Sequence, residues 1–231
     1  MNRTKTTACT DRLVSIHNKC FKDGLTHKDL NGSYSYFKNL QEVNRDEIHE
    51  IAFTFNSSLN KEQICFIDTP GINNSEDSNH RRITENAITS GDYDAIMYVS
   101  NSQYVGTNDE HNLLKLLKSK VKKPILFVLN QLDNFIPEED SIAKMMNDYK
   151  SDLLRIGFNK PVIVPVSAYA AFLFRLGADK LTNTEKRKCI ILNEVFDNEY
   201  YDFPKYIEEG KSKDKLSMTG IISLENKLIT I

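Results

Sequence analysis

The chain has no tryptophan, only four cysteines, nine glycines and six prolines among 231 residues. So little glycine and proline excludes a collagen-like or low-complexity disordered chain. Cys9, Cys20, Cys65 and Cys189 are scattered, and no two stand at C-x-x-C spacing. Neither a zinc site nor a thioredoxin-type redox motif is therefore visible. Cys65 lies in an apolar run and reads as a small core residue, and a reducing cytosol is the expected setting. The five histidines are isolated and lack metal-ligand spacing. Charge of one sign is missing too: 30 basic residues face 32 acidic ones, for a net charge of −2. That balance gives no support to a nucleic-acid arm or a polybasic membrane anchor. The longest apolar runs are about seven residues, against the roughly 20 of a membrane-spanning helix. No apolar stretch follows the charges of MNRTKTTACTDR, so no secretory signal is expected there.

What is present is ordinary for a globular domain: 40% apolar and 27% charged residues in a length that suits one core. Residues 21–47 are polar and weakly periodic, a long excursion or loops with a short helix. From residue 48 the pattern becomes regular. Residues 48–55 alternate apolar and polar as a half-buried strand does. Short apolar runs follow at 63–68, 94–101, 124–130 and 161–167. Helical spacing predicts helices over 81–90, over 108–120 with Asn108 as cap, over 138–156 and over about 219–231, with two or three helices between 167 and the last. Asp109-Glu110 and Glu138-Glu139-Asp140 read as first-turn acids favoured by the helix dipole. Tyr200-Tyr201 and the aromatics at 169–174 read as core or interface packing.

Apolar strands alternating with helices make a mostly parallel sheet covered on both faces. Right-handed crossovers put the strand C-termini on one edge, where such sheets bind ligands. Three polar signatures stand at those ends: Asp68-Thr69-Pro70-Gly71, Asn130-Gln131-Leu132-Asp133 and Ser167-Ala168. This arrangement resembles the guanine-nucleotide site of P-loop GTPases, and in such a site an Asp at a strand end can hold a magnesium that bridges nucleotide phosphates. A glycine three residues on lets a backbone N–H approach a phosphate. Asp133 can accept two hydrogen bonds from the guanine N1–H and 2-amino group, which adenine does not offer; hydrogen bonds to charged groups are worth about 1.5–3 kcal/mol.

In this order and spacing the signatures resemble D-x-x-G, N-K-x-D and S-A of P-loop GTPases, with Gln131 at the usual lysine position. Residues 3–10 (RTKTTACT) resemble the switch-threonine segment of bacterial dynamin-like GTPases, residues 100–117 the loop and helix after their fourth strand, and residues 217–228 the closing helix of their GTPase domain. The resemblance runs over roughly residues 3–231. It implies GTP hydrolysis with Mg2+ and no covalent intermediate. It also implies Thr7 and Asp68 at the metal, the Thr7 backbone orienting the attacking water, the catalytic Gly71 N–H at the γ-phosphate, and Asp68, Thr69, Gly71, Asn130, Gln131, Asp133, Ser167 and Ala168 around the nucleotide. Asn130 would tie its loop to neighbours, and the Ser167-Ala168 backbone would meet the guanine carbonyl. A homodimer through the GTPase faces is implied as well, with membrane contact only through further helices, no nucleic-acid partner and a cytoplasmic location.

One motif of the family is missing. None of the nine glycines is followed five residues later by another, so G-x-x-x-x-G-K-[ST] does not occur. Gly210-Lys211-Ser212 is a decoy: Lys205 stands where the first glycine belongs, Glu208 and Glu209 would repel phosphate, and no buried strand precedes it. The expectation is a single incomplete domain over 1–231 that lacks the first strand, phosphate loop and first helix. That first strand would lie between the strands at 63–67 and 94–100. An internal methionine, a split gene and a degraded gene all remain open as causes. So do three functions: a GTPase inactive until completed, a pseudo-GTPase acting as an interaction module, and a non-functional fragment.

Overall fold

A computed structural model describes residues 4–8, 15–20, 28–31, 47–53, 59, 65–69, 78–179 and 181–231. The chain forms two compact units, Met1–Ser90 and Gly91–Ile231, each described by itself.

In the first unit the strands are β1 (Thr4–Ala8), β2 (Ser15–Cys20), β3 (Lys28–Asn31), β4 (Glu47–Phe53) and β5 (Cys65–Asp68), followed by helix α1 (Ser78–Ser90). They form one sheet in the order β3-β2-β4-β1-β5. β1 runs parallel to β4, whereas β1–β5, β2–β3 and β2–β4 are antiparallel. The sequence pattern predicted β4 and β5 but gave no sign of β1, β2 and β3. Their polar residues carry no continuous apolar face, which is what a period-based reading needs. The Cys65 side chain lies outside the description, so its reading as core is left there.

The second unit is α/β. Its strands β6 (Ile96–Asn101), β7 (Ile125–Asn130) and β8 (Val162–Val166) make an all-parallel sheet in that order. Helices α2 (Asn108–Lys120) and α3 (Ile142–Ile156) are the crossovers. α4 (Ala168–Leu176), α5 (Asn183–Val195), α6 (Lys215–Met218) and α7 (Ile221–Thr230) follow, with 3-10 turns at Glu199–Tyr201 and Phe203–Ile207 between α5 and α6. β7 is central, and Leu126, Phe127, Val128 and Leu129 are all buried, so both its faces are covered. Parallel register puts Leu126 beside Val162 and Val128 beside Val164. Leu126, Val128, Val164 and Val166 form one layer with Leu224 of α7, and Ile207, Ile221 and Leu228 pack onto it. On the other face Phe127 meets Tyr98, Tyr149 and Phe158 edge-on, with ring centroids 6.1, 6.4 and 5.0 Å away. Each such large side chain contributes about 1.5–3 kcal/mol on burial.

Helix ends follow local chemistry. Thr107, not Asn108, caps α2 by accepting the Glu110 N–H. The helix expected from residue 138 starts at Ile142, because Ser141 caps it at the Lys144 N–H and Gly157 ends it with φ 107°. Glu138-Glu139-Asp140 therefore precede the helix in a turn; Asp140 Oδ2 accepts the Ile136 N–H at 2.8 Å instead of serving the first turn. Thr182 and Glu185 form a capping box on α5. β5 and β6 are each edge strands of their own sheets, the two strands between which the missing first strand is expected. On β6, Met97 and Val99 are 39% and 50% exposed. Among the described residues no helix is long and apolar enough to cross a membrane.

Candidate functional site

The C-terminal ends of β7 and β8 gather five of the residues singled out from the sequence. Asn130 ends β7, and its side-chain Oδ1 accepts the Gln131 N–H at 2.9 Å and the Ala168 N–H at 3.1 Å. Gln131 is left-handed, with φ 68°. Such a conformation costs a non-glycine residue about 1–2 kcal/mol. Neighbours hold it there: the Gln131 carbonyl accepts from Ser102 Oγ at 3.1 Å and from the Asn134 N–H at 3.2 Å. The Gln131 side chain is exposed, so it stands free beside the loop.

Leu132 is 0% exposed and anchors the short 3-10 turn Leu132–Asn134 in the core. That anchor fixes the next residue, Asp133, which is half-buried. Its carboxylate accepts no hydrogen bond from any described residue, so both oxygens are available. The turn closes with the Phe135 N–H donating to the Leu132 carbonyl at 3.2 Å.

Ser167, at 0% exposure, joins β8 to α4. Its N–H donates to the Thr219 carbonyl at 2.9 Å, and its Oγ accepts the Ala170 N–H at 3.4 Å as the helix cap. Gly220 lies against the same place. With φ 75°, a Cβ there would stand 2.0 Å from the Pro165 carbonyl oxygen. The Ala168 N–H, expected to meet a guanine carbonyl, already points at Asn130 Oδ1, so a base would share that donor.

A polar network braces the site from β6. Ser100 Oγ donates to Glu110 Oε1 and shares a bond with Tyr149 Oη, both at 2.7 Å. Glu110 Oε2 accepts the Gly106 N–H at 2.7 Å. Burial, with the Glu110 charge as a lesser cause, holds the Tyr98 phenol far above its usual range; burial does the same for Tyr149, against the lowering effect of the Ser100 bond. Ser102, 3% exposed, donates its N–H to the Asn130 carbonyl at 3.0 Å in addition to its hydroxyl bond. Sequence reasoning passed over Ser102. Its only signal was a second serine just past an apolar run.

The residues assigned to phosphate and metal lie in the other unit. Asp68 is the last residue of β5, paired with Thr4, and Thr69 follows it half-buried. Thr7 sits inside β1, with Ala52 and Cys65 as backbone partners. Gly71 lies outside the described residues. The decoy is occupied by its surroundings: Ser212 donates its N–H and Oγ–H to Asp202 at 3.1 and 2.5 Å, and the exposed Lys211 pairs with Glu199. α6 after it has four residues, too short for a phosphate-binding helix.

Among known proteins, the dynamin family model matches residues 3–132, more than half of the chain. GTPase Era from Clostridium botulinum (strain Eklund 17B / Type B) is 34% identical over 108 residues, which is 46% of this chain and 34% of the relative. GTPase Der from Paenarthrobacter aurescens is 27% identical over 148 residues, 64% of this chain and 27% of the relative. The chain thus spans about a third or less of the length of these curated relatives. A solved structure of an oligomerised bacterial dynamin pair, described as sensing and tethering membranes, aligns with a TM-score of 0.47 and 14% identity over 85% of this chain and 32% of its own. Aquifex aeolicus Era aligns with a TM-score of 0.33 and 12% identity over 71% of this chain and 52% of its own.

Proposed function

This chain belongs to the dynamin family, and from that premise we propose that its second unit reads the guanine base of a GTPase whose phosphate site these 231 residues do not complete. One observation carries the reading. Asp133 is half-buried on a turn fixed by the fully buried Leu132, and its carboxylate accepts nothing from the described residues. A fixed acceptor pair of this kind matches the N1–H and 2-amino donors of guanine. Adenine presents no such pair. Asn130 supports the reading by joining the Asp133 loop to Ala168.

The phosphate and magnesium side does not fit in the same way. The sequence holds no G-x-x-x-x-G-K-[ST], the motif that supplies a cradle of amides and a lysine to the phosphates. Asp68, Thr69, Gly71 and Thr7 are proposed at that end, but no hydrolytic step is assigned to these residues alone. The chain by itself is expected to bind guanosine weakly and to turn over no GTP. A segment carrying strand, phosphate loop and helix should restore turnover. A homodimer through the nucleotide side, and membrane contact through further helices, belong to the same proposal.

The test is base choice. Asp133→Asn replaces an acceptor with a donor, so the preference should pass from guanosine to xanthosine in a titration followed by NMR. An unchanged preference removes Asp133 from the site. A second reading, a partner platform without nucleotide, is favoured by the exposed Met97 and Val99 on the β6 edge. A stable chain indifferent to every nucleoside would select it.

A further inference from the structure

We infer that Tyr201 is a positioning residue for guanine recognition, holding the Asp133 turn in place through the Phe135 carbonyl. The inference rests on the base reading above and concerns the same site.

The chain between β8 and α7 returns to the base loop by way of two adjacent tyrosines. Tyr201 Oη donates to the Phe135 carbonyl at 2.6 Å, and Tyr200 Oη donates to the Asp140 carbonyl at 3.0 Å. These carbonyls bracket the segment that links Asp133 to α3. Within that bracket the loop is already closed: Ile136 O accepts the Glu139 and Asp140 N–H groups at 3.0 and 2.7 Å, and the Asp140 carboxylate takes the Ile136 N–H. The tyrosines therefore fix a rigid loop as a whole, and Asp133 with it.

The two tyrosines are themselves held. The Tyr201 N–H donates to the Asn198 carbonyl at 3.0 Å, and the Tyr200 N–H donates to Asn198 Oδ1 at 2.9 Å. The Tyr201 ring packs against Phe196 and Tyr200, with centroids 6.0 and 4.9 Å away. Tyr206 Oη donates to the Tyr200 carbonyl at 2.8 Å. Tyr201 is 7% exposed, so its hydroxyl has few alternatives to Phe135. Burial raises the Tyr201 phenol, with Tyr200, Glu138, Asp133 and Asp140 adding to it in falling order. Positioning matters because both guanine donors must meet one carboxylate together. A small rotation of the turn keeps one hydrogen bond and loses the other.

Inosine lacks only the 2-amino group, so the ratio of guanosine to inosine affinity reads the second hydrogen bond. A general loss of stability leaves that ratio unmoved. Guanosine and inosine are titrated into the full 231-residue chain by NMR. The variants are Tyr201→Phe and, as a control on the base reading, Asp133→Ala. The native chain should prefer guanosine, and Asp133→Ala should abolish the preference. Tyr201→Phe keeps the ring packing and should shrink the preference about three- to tenfold, while amide exchange at Leu132–Phe135 quickens. A native chain that does not distinguish the two nucleosides overturns the base reading, and this inference with it. A native preference left intact in Tyr201→Phe overturns only the role of Tyr201. Should Tyr201→Phe not fold, Tyr200→Phe carries the test, since it frees only the Asp140 carbonyl. A smaller loss in the same ratio is then expected, and no loss overturns the clamp.

Discussion

Asn130 and Ala168, 38 residues apart in sequence, share one hydrogen bond, Ala168 N–H to Asn130 Oδ1 at 3.1 Å. Through it the ends of β7 and β8 behave as one edge. The same oxygen takes the Gln131 N–H, so a single acceptor fixes both loops that would frame a base.

Asn130→Ala removes that acceptor from two backbone donors. The donors are near solvent, which limits the loss to about 1 kcal/mol. Asn130→Asp keeps an oxygen in place and should lose less. Urea unfolding midpoints of the two variants check this, and equal losses would show that the acceptor is not what matters.

Gly220→Ala should be among the most damaging single changes. Its Cβ would stand 2.0 Å from the Pro165 carbonyl oxygen, a backbone atom that cannot turn aside. The expected loss is above about 3 kcal/mol. Gly106 also has a positive φ, 84°, but its Cβ would meet nothing within 4 Å, so Gly106→Ala should cost only about 1–2 kcal/mol. Thermal unfolding of both variants separates collision from conformational strain; equal losses would remove the collision.

Lys211→Ala tests the decoy. Lys211 and Glu199 form an exposed pair, with side chains 74% and 72% exposed. The variant should leave the unfolding midpoint, and the GTP affinity of the protein completed by a phosphate-loop segment, within error. A tenfold loss of affinity would place a phosphate loop where the structure shows a surface pair.

Alkaline pH should unfold the second unit early. Burial raises the Tyr206 phenol to about 12 and raises Tyr200 and Tyr201 as well. A raised folded pKa means the folded state keeps a proton that the unfolded chain releases near pH 10. The contribution is complete below pH 10 and is lost as pH climbs from 10 toward 12. Urea midpoints should therefore hold up to about pH 10 and fall from there toward pH 12; a flat profile over that range would contradict the raised phenols.

The three-stranded sheet was legible because β6, β7 and β8 are apolar runs separated by helical periods, and Asn130, Asp133 and Ser167 were legible because they stand just past those runs. β1 and β2 were not legible, since TKTTA and SIHNKC carry few apolar residues and draw their order from neighbours distant in sequence. Tyr200 and Tyr201 looked like packing, and Tyr201 is packed; what sequence could not show is where each hydroxyl ends. A bond to the Phe135 carbonyl across 66 residues depends on how the segment after α5 folds back, and no local pattern encodes that.

Gly220 also decides how the unit responds to force. The Thr219 carbonyl grips the Ser167 N–H while the bare α-carbon of Gly220 rests on the Pro165 carbonyl, leaving no room to slide. α7 begins at the next residue and lies along Leu126, Val128, Val164 and Val166 through Leu224. The β8 end, Gly220 and the final helix are thus joined by backbone contact and shared core packing. A load applied beyond Thr230 is therefore expected to be felt at Ser167 through the Thr219 carbonyl.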